Sequence, residues 1–478
     1  MKWSFLLTTL LSLIIPAALF SQAYKIGDIK DDSSGYEGKR LIQDIRVIGN
    51  KITKEYIILR ELTFDVGDSL SNLELKKNLL QSKKNILNTS LFNFVQFDWA
   101  VDPANDISIV ISLTERWYFW PSPIFEIDDI NFNTWWKTKD FSRINYGLYL
   151  SLKNFRGRKE TLKTTLQLGY SQEINFSYTI PYIDRKKKSG LGFAYSYSRQ
   201  HEISYLTDNN KRLFYKHEEK FSQKQIGYGI SYFYRNRIFD RHTLSVNYHN
   251  ISVLDTVVEI NPNYLGNGKS KSEFFSLNYN FVHDERDSKN YPLKGNYLSL
   301  NLRKYGVGIL SSSLDLWNLS VTYKKFWQLG ERFFLAGRAS GVLAANNEQP
   351  YLLQNGLGYS EGSAVRSYEY YVVDGQNVGL AKVQFKYQLI KPASAKLPLI
   401  PFEKFNRFHY AFYLGIFSDV GFVDDNTGYP HNKLANMLLY GNGIGLDFVT
   451  YYDMVLRTEY SFNRFGESGI FLHFIAPI

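Results

Sequence analysis

The chain has 478 residues, a net charge of +10, an aromatic fraction of 17% with 36 Tyr and 35 Phe, and no cysteine. The absence of thiols excludes a disulfide scaffold, a lipidated N-terminal cysteine, thiolate metal sites and cysteine nucleophiles. Mean hydropathy is slightly polar at −0.29, as expected of strands that show apolar residues to lipid and polar ones to a lumen, and we read the positive charge as a charged lumen with basic turns.

Lys2, an apolar run from Phe5 to Phe20 and then Ser21-Gln22-Ala23 have the pattern of a secretory signal (residues 1–23) cut after Ala23. No later stretch of ~18 apolar residues exists, so transmembrane helices are not expected. An exported chain that spans a membrane without helices must close a barrel, because an open sheet leaves backbone groups unpaired in hydrocarbon. Residues 24–39 mix Lys, Asp, Ser and Gly without periodicity and form a flexible lead-in.

Residues 40–115 read as a small α+β module. Leu41 to Val47 alternates as a strand and ends at Gly49-Asn50. Thr53 to Leu62 has helical spacing with Thr53 as its cap, and Ser71 opens a second helix to about Asn88 with Leu73, Leu79, Leu80, Ile86 and Leu87 on its apolar side. Strands Phe92 to Trp99 and Ile107 to Glu115 close the unit.

Residues 116–478 carry about sixteen segments of strand character, an even number as bacterial barrels require. They span 116–126, 144–154, 160–169, 174–181, 189–200, 222–235, 241–252, 272–284, 295–305, 313–327, 332–343, 379–390, 408–420, 440–450, 453–463 and 469–476. In the twelfth, Ala381, Val383, Phe385, Tyr387 and Leu389 oppose Lys382, Gln384, Lys386 and Gln388; in the fifteenth, Met454, Leu456, Tyr460 and Phe462 oppose Asp453, Arg457, Glu459 and Ser461. The fold class is therefore mainly β, a sixteen-stranded antiparallel transmembrane barrel behind one N-terminal α+β domain.

In the thirteenth segment Phe408, Tyr410, Phe412, Leu414 and Ile416 alternate with Gly415, Phe417 and Asp419. If the first set faces lipid, Asp419 faces the interior, where a carboxylate needs a partner. The loop after the eleventh strand is about 35 residues, long enough to need a purpose, and lies outside the cell if the first strand leaves the periplasm. It carries Val365-Arg366-Ser367-Tyr368, and we take the permanently charged, planar Arg366 as the partner. A lone pair of this kind predicts that exchanging the two charges partly restores what Arg366→Ala removes.

Other motifs point to no chemistry. Gly358-Tyr359-Ser360-Glu361-Gly362 matches a nucleophile elbow but lacks a strand before and a helix after. Gly266 to Ser270 has Asn263 where a phosphate loop needs its first glycine, and Asp424-Asp425-Asn426 reads as a turn before it reads as a calcium loop. We expect no catalytic residue, cofactor or metal, and no nucleic-acid partner.

The module's element order, with Gly49-Asn50, Gly67-Asp68, Leu91-Phe92 and Glu115, resembles a POTRA domain, the periplasmic unit of outer-membrane assembly barrels. Val365 to Tyr368, Gly415-Ile416-Phe417-Ser418-Asp419-Val420-Gly421, Asn154 to Glu160 leading to Tyr178-Thr179-Ile180-Pro181, and Asp284-Glu285-Arg286-Asp287 leading to Pro292 and Gly295 together resemble the BamA/TamA-type superfamily of outer-membrane assembly and transport barrels. The resemblance implies an outer-membrane location with the POTRA domain in the periplasm, and a lumenal lock of Val365, Arg366, Ser367, Tyr368, Gly415, Phe417, Asp419 and Gly421. It also implies a lateral seam between the first strand and a last strand bearing Gly469, Phe471 and Phe474. The implied partners are the outer-membrane lipid bilayer, unfolded β-barrel client proteins and periplasmic accessory lipoproteins. The implied function is folding and insertion of barrel proteins, the alternative being an exporter of the two-partner secretion type. Three features depart from the pattern. Ser367 replaces the usual glycine, which implies a different backbone at the loop tip; a single POTRA domain fits before Arg116; and the chain ends in Ile478 where an aromatic is usual.

Overall fold

The computed structural model describes residues 38–127, 143–289, 291–310, 314–345, 349–396, 407–427, 431–450 and 455–473. The signal, nearly all of the lead-in, and Phe474 lie outside them.

The N-terminal module is a four-stranded sheet under two helices. Strand β1 (Arg40–Ile48) pairs with the two-residue β2 (Ser69–Leu70) on one side and runs parallel to β4 (Ile107–Glu115) on the other, and β3 (Phe92–Val101) closes the far edge. Helix α2 (Asn72–Leu87) starts in a full capping box, Ser71 accepting from the Glu74 N–H while the Glu74 carboxylate accepts from the Ser71 N–H. It buries Leu75, Leu79 and Ile86 against Ile107, Ile109 and Ile111 of β4. Leu73, expected on this face, is 79% exposed, because α2 turns its Leu75-Leu79-Ile86 stripe inward and position 73 falls outside that arc. Helix α1 (Glu55–Leu59) is shorter than its apolar spacing suggested, and Lys54, not Thr53, is its cap. The Thr53 hydroxyl is taken instead by Glu115, donating to Oε1 at 2.5 Å and accepting from Asn154 Nδ2 at 2.8 Å.

From Phe119 to His473 the chain is one sixteen-stranded antiparallel sheet whose strands pair in sequence order, forming the barrel. The strands used below are one (Phe119–Ile127), two (Ile144–Phe155), nine (Gly295–Tyr305), ten (Leu316–Gln328), eleven (Phe333–Ala344), twelve (Asn377–Lys396), thirteen (Arg407–Asp424), fourteen (Leu439–Thr450), fifteen (Val455–Asn463) and sixteen (Ser468–His473). Each matches one of the sixteen alternating segments. Alternation sets the two faces: in thirteen, Leu414, Ile416, Val420 and Phe422 point outward and are exposed, whereas Tyr413, Phe417 and Asp419 are buried inside. Strand twelve continues to Lys396, past the expected end at residue 390, by means of register shifts near Ile390. An additional hairpin, Glu202–Asp208 with Lys211–Lys216, stands over the outer mouth. At its tip, Asn210 donates to the Val372 carbonyl and to Asn432, and accepts from the Leu434 N–H.

The module docks on the turns at the end of the barrel opposite the long loop that carries Arg366. Lys54 N–H donates to the Gly157 carbonyl at 2.8 Å, and a Cβ at Gly157 would overlap the Ile52 carbonyl oxygen, so the approach of the two backbones needs this glycine. Arg60 donates to the carbonyls of Lys187 and Arg235, while Arg235 grips the buried Glu61 through two bonds of 2.6 and 2.7 Å. Burial pushes the Glu61 carboxyl up, but Lys159 and Arg235 outweigh it and hold the group at about 2.

Candidate functional site

The loop between Ala344 and Asn377 folds back into the lumen. Val365 and Tyr368 lie in an apolar cluster with Leu357, Val423, Leu434 and Leu439, which fixes the loop tip against strands twelve to fourteen. Burying this cluster delivers Arg366 to the wall. Its Nε donates to Asp419 Oδ2 at 2.8 Å, its Nη2 to Asp419 Oδ1 at 2.6 Å, and its backbone N–H to Oδ2 at 3.1 Å. Arg366 is 7% exposed and Asp419 0%, so both charges are lost to water and the geometry must compensate for it.

The remaining motif residues shape that geometry. The Phe417 ring lies under the guanidinium, 3.6 Å from its carbon to the ring centroid. Gly421 leaves room for Val365 and Leu357, and a Cβ at Gly415 would come within 2.8 Å of Gln384 Nε2. Ser367 has φ +78°. The tip therefore adopts the left-handed conformation that glycine favours and serine tolerates poorly. The structure thus brings Val365, Arg366, Ser367, Tyr368, Gly415, Phe417, Asp419 and Gly421 into one place.

Several participants carry no motif. Glu459 on strand fifteen accepts from Arg366 Nη1 at 3.0 Å, Lys382 reaches Asp419 at 3.4 Å, and Arg457 grips Asp447 at 2.6 and 3.0 Å. Lys386 stands 3.3 Å from Asp447, and Tyr291, rising from the turn before strand nine, donates to Asp447 at 2.7 Å. Alternation alone places Lys382, Lys386, Arg457 and Glu459 on the lumenal face. Their pairing depends on register, with Lys382 directly opposite Asp419 and Asp447 directly opposite Arg457. Gly441 is a further requirement, since a Cβ there would overlap the Arg366 carbonyl oxygen.

The loop tip also holds the C-terminal hairpin. Asn463 donates to the Ser367 carbonyl at 3.2 Å, Tyr371 to Glu467 at 2.8 Å, and the Tyr370 and Phe471 rings lie 5.9 Å apart. Phe471 and Gly469 both sit on strand sixteen, next to the edge that faces strand one.

The motifs without chemistry are structural. Asp425 accepts from the Thr427 N–H and hydroxyl, from Gln376 and from Asn432, so donors occupy the carboxylate that a calcium ion would need. Ser360 precedes a single 3₁₀ turn, and its hydroxyl bonds to Ser363. Glu160, from the Asn154 to Glu160 motif, is buried under two bonds from Arg156 and one from Tyr178.

The structure is thus a sixteen-stranded barrel with an inward arginine loop and an α+β module docked on the turns at its opposite end. The Omp85 superfamily domain matches residues 154–450, and the POTRA domain, described as a surface antigen variable number repeat, matches residues 41–116. The chain belongs to the Omp85 superfamily, whose members are outer-membrane β-barrels. Among solved structures it is similar to BamA from Haemophilus ducreyi lacking POTRA domains 1–3, at 14% identity and a TM-score of 0.50 over 91% of this chain and 83% of that one. It is also similar to CdiB from Escherichia coli, at 13% identity and a TM-score of 0.51 over 91% and 75%. The sequence matches no curated protein.

Proposed function

We propose that this protein sits in the outer membrane with its POTRA domain in the periplasm, and that it assists folding and insertion of other barrel proteins through a lateral seam between strands one and sixteen. The observation that carries this reading is the edge of strand one. Lys153 N–H donates to the Tyr118 carbonyl at 2.8 Å, and the same register continues from Phe119 opposite Leu152 to Ile127 opposite Ile144. Because bonded pairs alternate along an antiparallel ladder, Trp120, Ser122 and Ile124 bond to strand two, and Phe119, Pro121, Pro123 and Phe125 turn their backbone groups to the seam. Two of those four positions are proline and have no N–H to give.

The other side of the seam is strand sixteen, described from Ser468 to His473. Strand sixteen pairs with fifteen over six residues, and among the described residues no hydrogen-bonded pairing joins it to strand one. A weakly bonded edge can accept a client strand in place of its own neighbour, and the open edge β3 of the POTRA sheet offers a second strand to pair with. A barrel that only threads a client through its lumen gains nothing from such an edge.

Controlled depletion, followed by quantification of folded outer-membrane barrels and of secreted proteins in the same cells, tests the proposal. Broad loss of folded barrels is the expected result. Loss of one exported protein with barrels intact would make it a two-partner-type exporter.

A further inference from the structure

One lumenal row on the wall beside the loop has too many positive charges. Tyr297 of strand nine stands opposite Lys324 of ten, Lys324 opposite Arg338 of eleven, Arg338 opposite Lys382 of twelve, and Lys382 opposite Asp419 of thirteen. The outer-face neighbours Tyr323, Trp327 and Phe333 are exposed, so these residues face inward. Three adjacent strands thus present cations to each other at directly opposed positions, an arrangement that destabilises a ladder.

The acid at the end of the row is already engaged. Both oxygens of Asp419 are held by Arg366 and Lys382 stands 3.4 Å away, so Asp419 acts on Arg338 only from beyond ion-pair distance. Asp284, which also bears on Lys324, is held by Arg286 at 2.7 and 2.8 Å. Among the described residues neither Lys324 nor Arg338 has a carboxylate within ion-pair distance. Arg338 Nε is buried without an acceptor, and the nearest partner of the Lys324 ammonium is the Tyr297 ring at 5.6 Å. The next lumenal row outward is Ser299, Thr322 and Ser340, paired in register, and the next row inward includes Phe326 opposite Ala336, both buried. A guanidinium, an ammonium and two hydroxyls are therefore neighbours on the lumenal face above an apolar floor, with no carboxylate at ion-pair distance from either cation among the described residues.

We infer that Lys324 and Arg338, with the hydroxyls of Thr322 and Ser340, form an oxyanion-binding site in the lumen that takes a phosphate- or carboxylate-type group. The planar fork of Arg338 suits two oxygens of one anion, and Lys324 supplies the second charge. The anion removes the repulsion along the row, so occupancy stabilises the barrel. The loop passes beside the site at Gly362, where an added Cβ would be 4.0 Å from Arg338 Nη1.

The experiment uses the full-length protein folded in detergent micelles, at constant ionic strength balanced with chloride. Inorganic phosphate is titrated by calorimetry, and the unfolding temperature is followed in parallel. The parent chain is expected to bind phosphate saturably and to gain unfolding temperature with it. Arg338→Gln and Lys324→Gln should each weaken binding at least tenfold, whereas Lys391→Gln, on the exposed lysine of strand twelve, should not. The glutamine variants should also be no less heat-resistant than the parent without phosphate, since they remove unpaired like charges, and this keeps the test open to variants that must fold. Equal phosphate effects on parent and variants would show a general salt effect and overturn the site. A glutamate-rich peptide that displaces phosphate would identify a polypeptide carboxylate as the ligand, and phosphate binding unaffected by the peptide would identify a phosphate-bearing one. The site does not depend on whether the barrel inserts or exports its clients.

Discussion

Arg366 Nη1 donates to Glu459 Oε1 at 3.0 Å, so the loop arginine is shared between acids on two different strands. Arg366→Ala leaves Asp419 and Glu459 buried together with one guanidinium gone. Breaking a buried ion pair in this way costs about 3–5 kcal/mol. The variant should unfold at markedly lower denaturant, read as loss of the heat-modifiable folded band on a gel. The exchange Arg366→Asp with Asp419→Arg, which a lone pair would tolerate, should not restore it. Asp at 366 would face Glu459, and Arg at 419 would face Lys382. Recovery by the exchange would mean that Glu459 contributes little.

The loop tip contains a correctable strain. Ser367 holds φ +78°, and a residue with a Cβ in the left-handed region is disfavoured by roughly 1 kcal/mol relative to glycine. Its carbonyl, not its hydroxyl, makes the contact with Asn463. Ser367→Gly should therefore raise the unfolding midpoint slightly with function intact. Gly441→Ala should do the reverse, displacing Arg366 through the overlap with its carbonyl oxygen, and the pair measured side by side would separate tip strain from tip space.

The clasp between the POTRA domain and the barrel should depend on acid. Glu61 lies at about 2 against an ordinary 4.5, so the folded state holds the charged form. Its contribution, roughly 3 kcal/mol at neutral pH, is complete above about 4.5 and fades as pH falls from there toward 2. Protease sensitivity of the segment joining the two parts should rise over that range in the parent chain. In Glu61→Gln it should already be high at pH 7 and flat with pH. A parent profile that is flat as well would mean that the Arg60 and Gly157 contacts hold the domain without Glu61.

The strands and the sidedness of Asp419 were legible because a half-buried strand has period two, and the lipid face of thirteen is unbroken from Tyr410 to Ile416. Arg366 was legible because the motif and the length of its loop coincide. Glu459 was not, although its strand showed it on the lumenal face: which lumenal charges meet is decided by register across strands far apart in sequence. Thr53 and Leu73 were misread for local reasons. A threonine before a helix is a cap only when no tertiary acceptor competes for its hydroxyl, and Glu115 does; a helix phase is set by all its apolar positions, and Leu75 outweighed Leu73. The prolines of strand one were visible from the start, but which edge they face follows only from the pairing with strand two.

Those prolines give the sharpest test of the seam. Pro121→Ala with Pro123→Ala returns two N–H donors to the edge that faces strand sixteen, while the bonds of Trp120, Ser122 and Ile124 to strand two are untouched. Each bond that these new donors make to strand sixteen is worth about 0.5–1.5 kcal/mol, so the double variant should resist heat unfolding better than the parent. A tighter seam opens less often, and an inserter that works through it should slow: folded client barrels should accumulate more slowly in cells carrying the variant, and unfolded clients should build up in the periplasm. An exporter that uses the lumen should secrete at the parental rate. A more stable barrel with undiminished client assembly would separate the seam from the function and return the lumen as the working path.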